Sequence, residues 1–311
     1  MTSFRPAFAV LLVSFLVTAC LNGGGGSNAI IPPPTLPPPT LPADLQTTVP
    51  EPVNSDLKAL NTLRGQLGLG LLMEDSRLIT VSTKHAKYVM TYGYAQSHSD
   101  GGGSFWTPEV SGNLNFSGVT ATDRCLAVGY DGSCNDTVIN SGLSTLPDLN
   151  VAGITLLAAK PYGGVMLFAQ QPRHAGAVYV QGMCMEGCFS WTSLHFGTPT
   201  SGGQRQGSGF VLTYPLPDSS VPNISFGHAI NLHINAGETL TVDSFTLLDK
   251  NGSTVAATLL TQATDPERFV PSHVAVLVPN APLIRGMNYM VNFWGKRNGT
   301  GFSRTWNFSV S

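Results

Sequence analysis

Apolar residues recur at helical spacing in the stretch that follows residue 54. The pattern predicts a first helix that begins at Asn54-Ser55-Asp56 and ends before Gly68. A second helix is predicted from about Asp75 to Tyr92, because apolar positions again repeat every three or four residues. The apolar stripe of this second helix includes His85. We therefore expect His85 to be a hydrogen-bonded histidine of the core.

The next stretch mixes helical and strand-like patterns. Helices are predicted over 122–128 and 146–159, and strand-like runs follow at Val165–Phe168, 175–181 and 189–196. Helices followed by strands indicate an α+β layer fold for residues 55–205.

The pattern changes after residue 205 to short β-type runs separated by turn signals such as Asn251-Gly252 and Asn298-Gly299. Seven runs in about 100 residues predict an all-β, immunoglobulin-like sandwich over 206–311. The seven predicted strands are 210–214, 229–234, 240–248, 254–260, 273–278, 289–294 and 303–310. The histidines of this part are scattered without ligand spacing, and we expect them on the surface; they are His228, His233 and His273.

The N-terminal sequence has the features of a targeting signal. An apolar run over 6–17 is too short to span a bilayer, and Val17-Thr18-Ala19-Cys20 follows it. This layout resembles the bacterial lipobox, so residues 1–19 are predicted to be a lipoprotein signal peptide and Cys20 the lipidated, palmitate-bearing residue. Leu21 rather than Asp after the cysteine indicates the outer membrane if the host is Gram-negative. The alternative is an ordinary secretory peptide with a chance cysteine.

Residues 20–54 are predicted to be a Gly- and Pro-rich linker that begins at the lipidated cysteine. Glycines at 23–26 provide flexibility, and the prolines that follow favour an extended, semi-rigid spacer. A spacer fits a chain that carries a lipid at one end and a folded body at the other.

Composition narrows the class of partner. The 311 residues are 11% charged with a formal net charge of −2, and no basic block argues for a nucleic-acid partner.

Export permits disulfides among the four cysteines other than Cys20. Local pairing, Cys125 with Cys134 and Cys184 with Cys188, is the simplest of three connectivities. A zinc site is the rival interpretation, but these cysteines lack flanking histidines.

Several segments carry a resemblance to a known family. They include Leu60-Asn-Thr-Leu-Arg64, His85-Ala86, Ser97-His98, Phe116-Ser-Gly-Val-Thr-Ala-Thr-Asp-Arg124 and Gly129-Tyr130. Over about residues 55–180 the chain resembles bacterial domains of the CAP superfamily, which includes cysteine-rich secretory proteins, antigen 5 and pathogenesis-related 1 proteins. The resemblance implies an α-β-α sandwich with a cleft. The expected fold class is therefore α+β: a CAP-like α-β-α sandwich over 55–205, followed by the immunoglobulin-like sandwich over 206–311.

The resemblance also implies a ligand set, of which little is present. In the family, two His and two Glu in the cleft hold a divalent metal such as zinc. His98 maps onto the first histidine, but the Glu expected near 137–140 is absent, and glycines stand where the later Glu and His-Arg element belongs. Glu109 and His174 lie in no matching motif, and we expect Glu109 to be a surface or capping carboxylate. We therefore predict no metal and no cofactor, with zinc retained only for a divergent site around His98.

These observations favour binding over catalysis. His98 is the one catalytic candidate, and His98, Trp106 and Tyr130 are the candidate cleft residues. The expected function is that of a membrane-anchored bacterial surface lipoprotein, located in the cell envelope, whose degenerate CAP-like domain binds an envelope lipid, a glycan or a protein. Two alternatives stay open: a cell-wall or peptide hydrolase that uses His98, and a structural component of the envelope.

Overall fold

The structure, a computed structural model, describes Pro52 and residues 54–92, 109–143, 149–181, 189–224 and 228–311. Five helices occur in these ranges: α1 Ser55–Gln66, α2 Ser76–Tyr92, α3 Ala121–Ala127, α4 Leu149–Ala159 and α5 Pro161–Leu167. Within the same ranges, no helix combines the length and the apolar character that crossing a membrane requires.

The first sheet organises the N-terminal part of the described chain. Its strands are β1 Met73–Glu74, β2 Gly132–Leu143, β3 His174–Gln181 and β4 Phe189–Pro199, in the order β1-β3-β4-β2. β1 pairs parallel with β3, and the other pairings are antiparallel. Helix α2 packs so closely on β3 that a Cβ at Gly176 would collide with the backbone of Leu78 and Ile79. The glycine is therefore what allows this helix to approach the sheet.

The start of α1 is fixed to the sheet by one residue. The Asn54 side-chain oxygen accepts hydrogen bonds from the backbone N–H groups of Asp56 and Leu57, at 2.9 and 3.2 Å. The Asn54 Nδ2 donates to the Ala177 carbonyl in β3 at 2.9 Å. Asn54 is thus both the N-cap of α1 and a link to β3, an inner strand of the sheet.

Two further sheets form the C-terminal part. Their strands are β5 Val211–Tyr214, β6 Ser219–Val221, β7 Ile230–Ile234, β8 Leu240–Leu248, β9 Thr254–Val255, β10 Ala257–Leu260, β11 Val274–Pro279, β12 Asn288–Arg297 and β13 Thr300–Val310. One sheet has the order β10-β11-β7-β5 and the other β6-β13-β12-β8-β9. Buried residues of both sheets, such as Leu232, Leu277, Phe293 and Trp306, share one core. This part is an all-β sandwich.

The predicted CAP-like α-β-α sandwich is wrong as the fold class. The described residues are organised by three sheets with 13 strands, and their five helices are short, from 7 to 17 residues. The apolar cluster on one side of the first sheet is also not closed by helices alone. Phe210, Leu212 and Tyr214, from β5 and the residue before it, belong to the same cluster as Leu57 and Phe196. The core of the first sheet is therefore continuous with the sheet that follows.

Two local predictions are corrected as well. Val165–Phe168, predicted as a strand, lies mostly in helix α5, because Pro161 begins a helix and the glycines behind it permit close packing. A Cβ at Gly163 would collide with the carbonyl of Leu157. The opposite error concerns β2, a 12-residue strand that the sequence pattern does not predict. Its backbone hydrogen bonds with β4 do not depend on apolar side chains.

Candidate functional site

Five ionisable side chains meet between α2, α3 and the first sheet. They are His85 on α2, Glu109 before α3, Arg124 on α3, Asp136 on β2 and His195 on β4, and we call them the charge cluster. None of these side chains is more than 6% exposed. Burying a charge is costly unless a partner compensates it, so the contacts inside the cluster decide its chemistry.

His85 lies between two carboxylates. Its Nδ1 is 2.9 Å from Glu109 Oε1, and its Nε2 is 3.1 Å from Asp136 Oδ2. Burial opposes the charged imidazolium, but the interactions with Asp136 and Glu109 outweigh it and raise the pKa of His85. With a carboxylate oxygen facing each ring nitrogen, the positively charged ring with both N–H groups is the form that fits.

Glu109 is held by the turn that follows it. Ser117 donates to it from its backbone N–H and from its hydroxyl, the latter 3.0 Å from Oε1, and the Gly118 N–H donates to Oε2 at 3.3 Å. Burial alone would raise the pKa of Glu109, but the bonds from His85 and Ser117 lower it. Glu109 is therefore a charged internal acceptor, and the prediction of a surface or capping role is wrong.

Arg124 and Asp136 form the shortest ion pair of the cluster, with Arg124 Nη2 2.6 Å from Asp136 Oδ2. A capping box between Thr120 and Asp123 fixes the start of α3 and so the position of Arg124. Arg124 Nη1 also donates to the Gly118 carbonyl at 3.2 Å. Although burial favours the neutral acid, the hydrogen bond and charge of His85, with the charge of Arg124, hold the pKa of Asp136 well below its usual range.

His195 is the neutral member of the cluster. The Ser82 hydroxyl donates its hydrogen to the Gly176 carbonyl at 2.9 Å, so its oxygen accepts from His195 Nδ1 at 3.0 Å. His195 Nε2 then accepts from Arg124 Nε at 3.4 Å. Burial is the main reason that the pKa of His195 falls to about 3. The lowered pKa makes the ring neutral, and the hydrogen-bond pattern places its hydrogen on Nδ1.

The cluster therefore holds two positive and two negative charges that compensate one another, together with one neutral histidine. Its contacts join α2, α3, β2, β4 and the turn at 117–118. Such a network positions secondary structure elements, because each charged group contacts another member of the cluster, and Glu109 and Arg124 are also bonded to the turn at 117–118. Among the described residues, no group of three or more His, Cys, Asp or Glu is arranged to hold a metal ion.

Several predicted site residues lie outside the described ranges. These are Cys20, His98, Trp106, Cys184 and Cys188. The predicted disulfide between Cys125 and Cys134 is present and joins α3 to β2.

The side chain of Tyr130, a predicted cleft residue, is buried, and its hydroxyl is 2.9 Å from His174 Nδ1. The Arg77 guanidinium carbon lies 5.1 Å from the centre of the Tyr130 ring.

The histidines of the β-sandwich also differ from expectation. His228 and His233 are buried rather than on the surface, and His273 is half-buried. His228 Nε2 lies 3.2 Å from the Pro222 carbonyl, and the His233 ring lies 5.9 Å from the Phe168 ring. Burial lowers the pKa of His228 to about 4 and that of His233 to about 3, so both are neutral at pH 7.

A cavity of about 500 Å³ lies at the five-stranded sheet. Its lining comes from the start of β12, the end of β13, the start of β6 and the turn between β8 and β9. The polar lining residues include Asp218, Asp249, Lys250, Asn288 and Asn307. This cavity is far in sequence from every site residue that sequence reasoning singled out.

No protein-family model and no curated protein matches this chain. Among solved structures, the chain is similar to an outer surface protein from Borrelia burgdorferi, with 15% sequence identity and a TM-score of 0.33. The match covers 46% of this chain and 90% of the Borrelia chain. A likeness of this degree carries no argument about function.

Proposed function

We propose that this protein is a bacterial surface lipoprotein, anchored to the envelope through Cys20, that binds a ligand or partner and does not catalyse a reaction. The observation that carries the proposal is the closed charge cluster. His85, Glu109, Asp136 and His195 are the residue types that an acid–base or metal-dependent enzyme uses, yet in this chain they are buried and their closest polar contacts are with protein groups.

The chemistry of the cluster supports a structural role. A general base needs a pKa near the working pH and reach to a substrate proton. Glu109 and Asp136 have lowered pKa values, and His195 is held neutral with its Nδ1 on Ser82 and its Nε2 facing Arg124. Protein groups thus occupy the positions that a substrate or a metal-bound water would need.

The N-terminal sequence supports the anchored part of the proposal. The lipobox-like Val17-Thr18-Ala19-Cys20 and the Pro-rich stretch behind it provide a lipid attachment point and a spacer. In cells fed an alkyne analogue of palmitate, the wild-type chain should take up the label and fractionate with membranes. A Cys20→Ser variant, which has no thiol to acylate, should lose the label, and equal labelling of the two chains contradicts the anchor.

Binding and hydrolysis are separated by one experiment on isolated bacterial envelopes. The Cys20→Ser chain, which cannot insert a lipid of its own, is incubated with envelope fragments and sedimented. We expect saturable retention of the chain in the pellet and no release of soluble sugar or peptide fragments. Release that disappears in a His98→Ala variant establishes the hydrolase instead, and a chain that is neither retained nor active contradicts the binding role.

A further inference from the structure

The outward face of the five-stranded sheet has an unusual pattern on β12. Tyr289, Val291 and Phe293 point into the core and are buried, whereas Met290, Asn292 and Trp294 lie on the opposite face. Trp294 is 61% exposed, the highest exposed fraction of any aromatic side chain among the described residues. Because β12 has a strand on each side, this indole ring stands exposed near the centre of the sheet, with its apolar face and its N–H group both open to a ligand.

Three rows of cross-strand neighbours surround this ring. From β8 to β12 to β13 they are Ser244–Trp294–Ser303, Thr246–Asn292–Thr305 and Leu248–Met290–Asn307. None of the nine side chains is charged. The neighbours of Trp294 in its own row are two serines, which are too small to cover the indole, and this leaves its ring available for contact.

The rows offer ordered hydrogen-bonding groups beside the ring. The Thr305 hydroxyl donates to Asn292 Oδ1 at 2.9 Å, which fixes the orientation of the amide. The Asn292 amide nitrogen makes no hydrogen bond within the described residues, so it can donate to a ligand, and the oxygen keeps a second lone pair. Asn307 and Asn288 continue the line of amides along the same face.

This face runs into the cavity of about 500 Å³ at its other end. Asn288, Met290 and Asn307 belong both to the face and to the cavity lining. Trp294 and Asn288 are six residues apart on one strand, which corresponds to about 20 Å at the usual rise per residue. The surface is therefore an extended track, with a stacking platform at one end and a polar cavity at the other.

We infer that the outward face of this sheet binds a segment of a neutral polysaccharide, with Trp294 stacked on one sugar ring. A sugar ring presents C–H groups on its face and hydroxyl groups at its edge, so it needs an apolar plate beside neutral donors and acceptors. The three rows supply this combination and are themselves uncharged, whereas the charged side chains of this face lie at its two ends, Lys296 beyond Trp294 and Asp218, Asp249 and Lys250 in the cavity. The inference rests on the proposed binding function, to which it adds a site and a ligand class.

The test uses the Cys20→Ser chain and four probes: insoluble cellulose, chitin and mannan, with alginate as an anionic counter-probe. We expect saturable retention on at least one neutral polymer, and a change of tryptophan fluorescence when a soluble oligosaccharide of that polymer is added. Trp294→Ala should weaken the binding at least about tenfold, as loss of a central tryptophan anchor commonly does. Trp294→Tyr, which keeps an aromatic plate, should retain part of the affinity.

Ile284→Ala is the matched control, because Ile284 is 63% exposed and does not belong to the three rows. It should bind like the parent chain. Retention on alginate alone, equal binding by Trp294→Ala, or self-association of the chain that Trp294→Ala abolishes, each overturns the inference. If no polymer is retained while envelope fragments still are, the inference fails and the proposed binding function stands; if neither is retained, both fail.

Discussion

Arg124 and Asp136 are joined twice, once directly and once through their neighbours. Their side chains meet at 2.6 Å in the protein interior, and the adjacent Cys125 is bonded to Cys134, two residues before Asp136. An ion pair and a covalent bond therefore connect the same two elements, α3 and β2. The ion pair also links this corner to His85 on α2.

Replacement of Arg124 by methionine should destabilise the protein severely. The change leaves the buried Asp136 carboxylate without its closest cation, and breaking one side of a buried pair costs about 3–5 kcal/mol. The free energy of unfolding, measured by urea titration, gives the loss. Arg205→Met, at an exposed position, serves as the control and should change it little. A small effect of Arg124→Met would show that the cluster does not hold these elements together.

Loss of the Cys125–Cys134 bond should also destabilise the chain, for a different reason. The bond closes a short loop, with a sequence separation of 9, and so restricts the unfolded state. A Cys125→Ala/Cys134→Ala double variant is expected to lose about 2–4 kcal/mol of the free energy of unfolding. Adding a reductant should lower the stability of the parent chain and leave that of the variant unchanged; equal stability of the two oxidised chains contradicts the prediction.

Stability should fall as the pH is lowered below about 6.5, before ordinary carboxylates titrate. Burial lowers the pKa of His195 and His233 to about 3 and that of His228 to about 4, whereas an unfolded histidine titrates near ~6.5. In the interval between, the unfolded chain binds more protons, so the free energy of unfolding decreases by about 1.4 kcal/mol per pH unit for each proton. Urea titrations from pH 7 to pH 5 measure this slope.

The other members of the cluster act outside that interval. His85 has a raised pKa, so its contribution is complete below ~6.5 and is lost as the pH rises through its folded value. The lowered pKa values of Glu109 and Asp136 keep their contributions until more acidic pH. A His228→Gln variant should reduce the acid slope by about one proton. A stability that is flat between pH 7 and pH 5 is the contrary result.

Gly176→Ala should be strongly destabilising, because the added methyl group would strike the backbone of α2. Overpacking of this kind typically costs about 1–3 kcal/mol, and here neither the helix nor the strand can yield by a side-chain rotation. Gly301→Ala is the matched control in another strand, since a Cβ there meets nothing within 4 Å. The midpoint of thermal unfolding, measured for both variants, tests this prediction. Equal midpoints for Gly176→Ala and Gly301→Ala would mean that α2 shifts at little cost in free energy.

Sequence reasoning succeeded where one periodicity dominates. The leucines after Asn54 predicted α1, and the run 240–248 coincides with β8, whose apolar positions face the sandwich core. It failed where a helix-starting proline was overlooked and where a long-range strand pairing decides the conformation. The strand predicted at Val165–Phe168 is helical because of the proline before it, and β2 is a strand through its pairing with β4.

The charge cluster shows the same limit at the level of a site. His85 was correctly expected in the core, since it lies on the apolar stripe of its helix. Its partners Glu109 and Asp136 are 24 and 51 residues away in sequence. A single carboxylate in a polar segment is therefore predicted to be a surface residue. One signal was available: Asp136 alternates with Cys134 and Val138, which are both buried. This alternation places the Asp136 side chain on the buried face of β2, where a nearby cation is needed to stabilise the charged carboxylate.

The double role of Asn54 has a mechanical consequence. Its amide nitrogen donates a hydrogen bond to the Ala177 carbonyl in β3, while its side-chain oxygen caps α1. A pull on the chain ahead of this residue therefore does not first peel away the helix turn by turn. A load on this segment reaches α1 and the inner strand β3 together, because Asn54 is bonded to both.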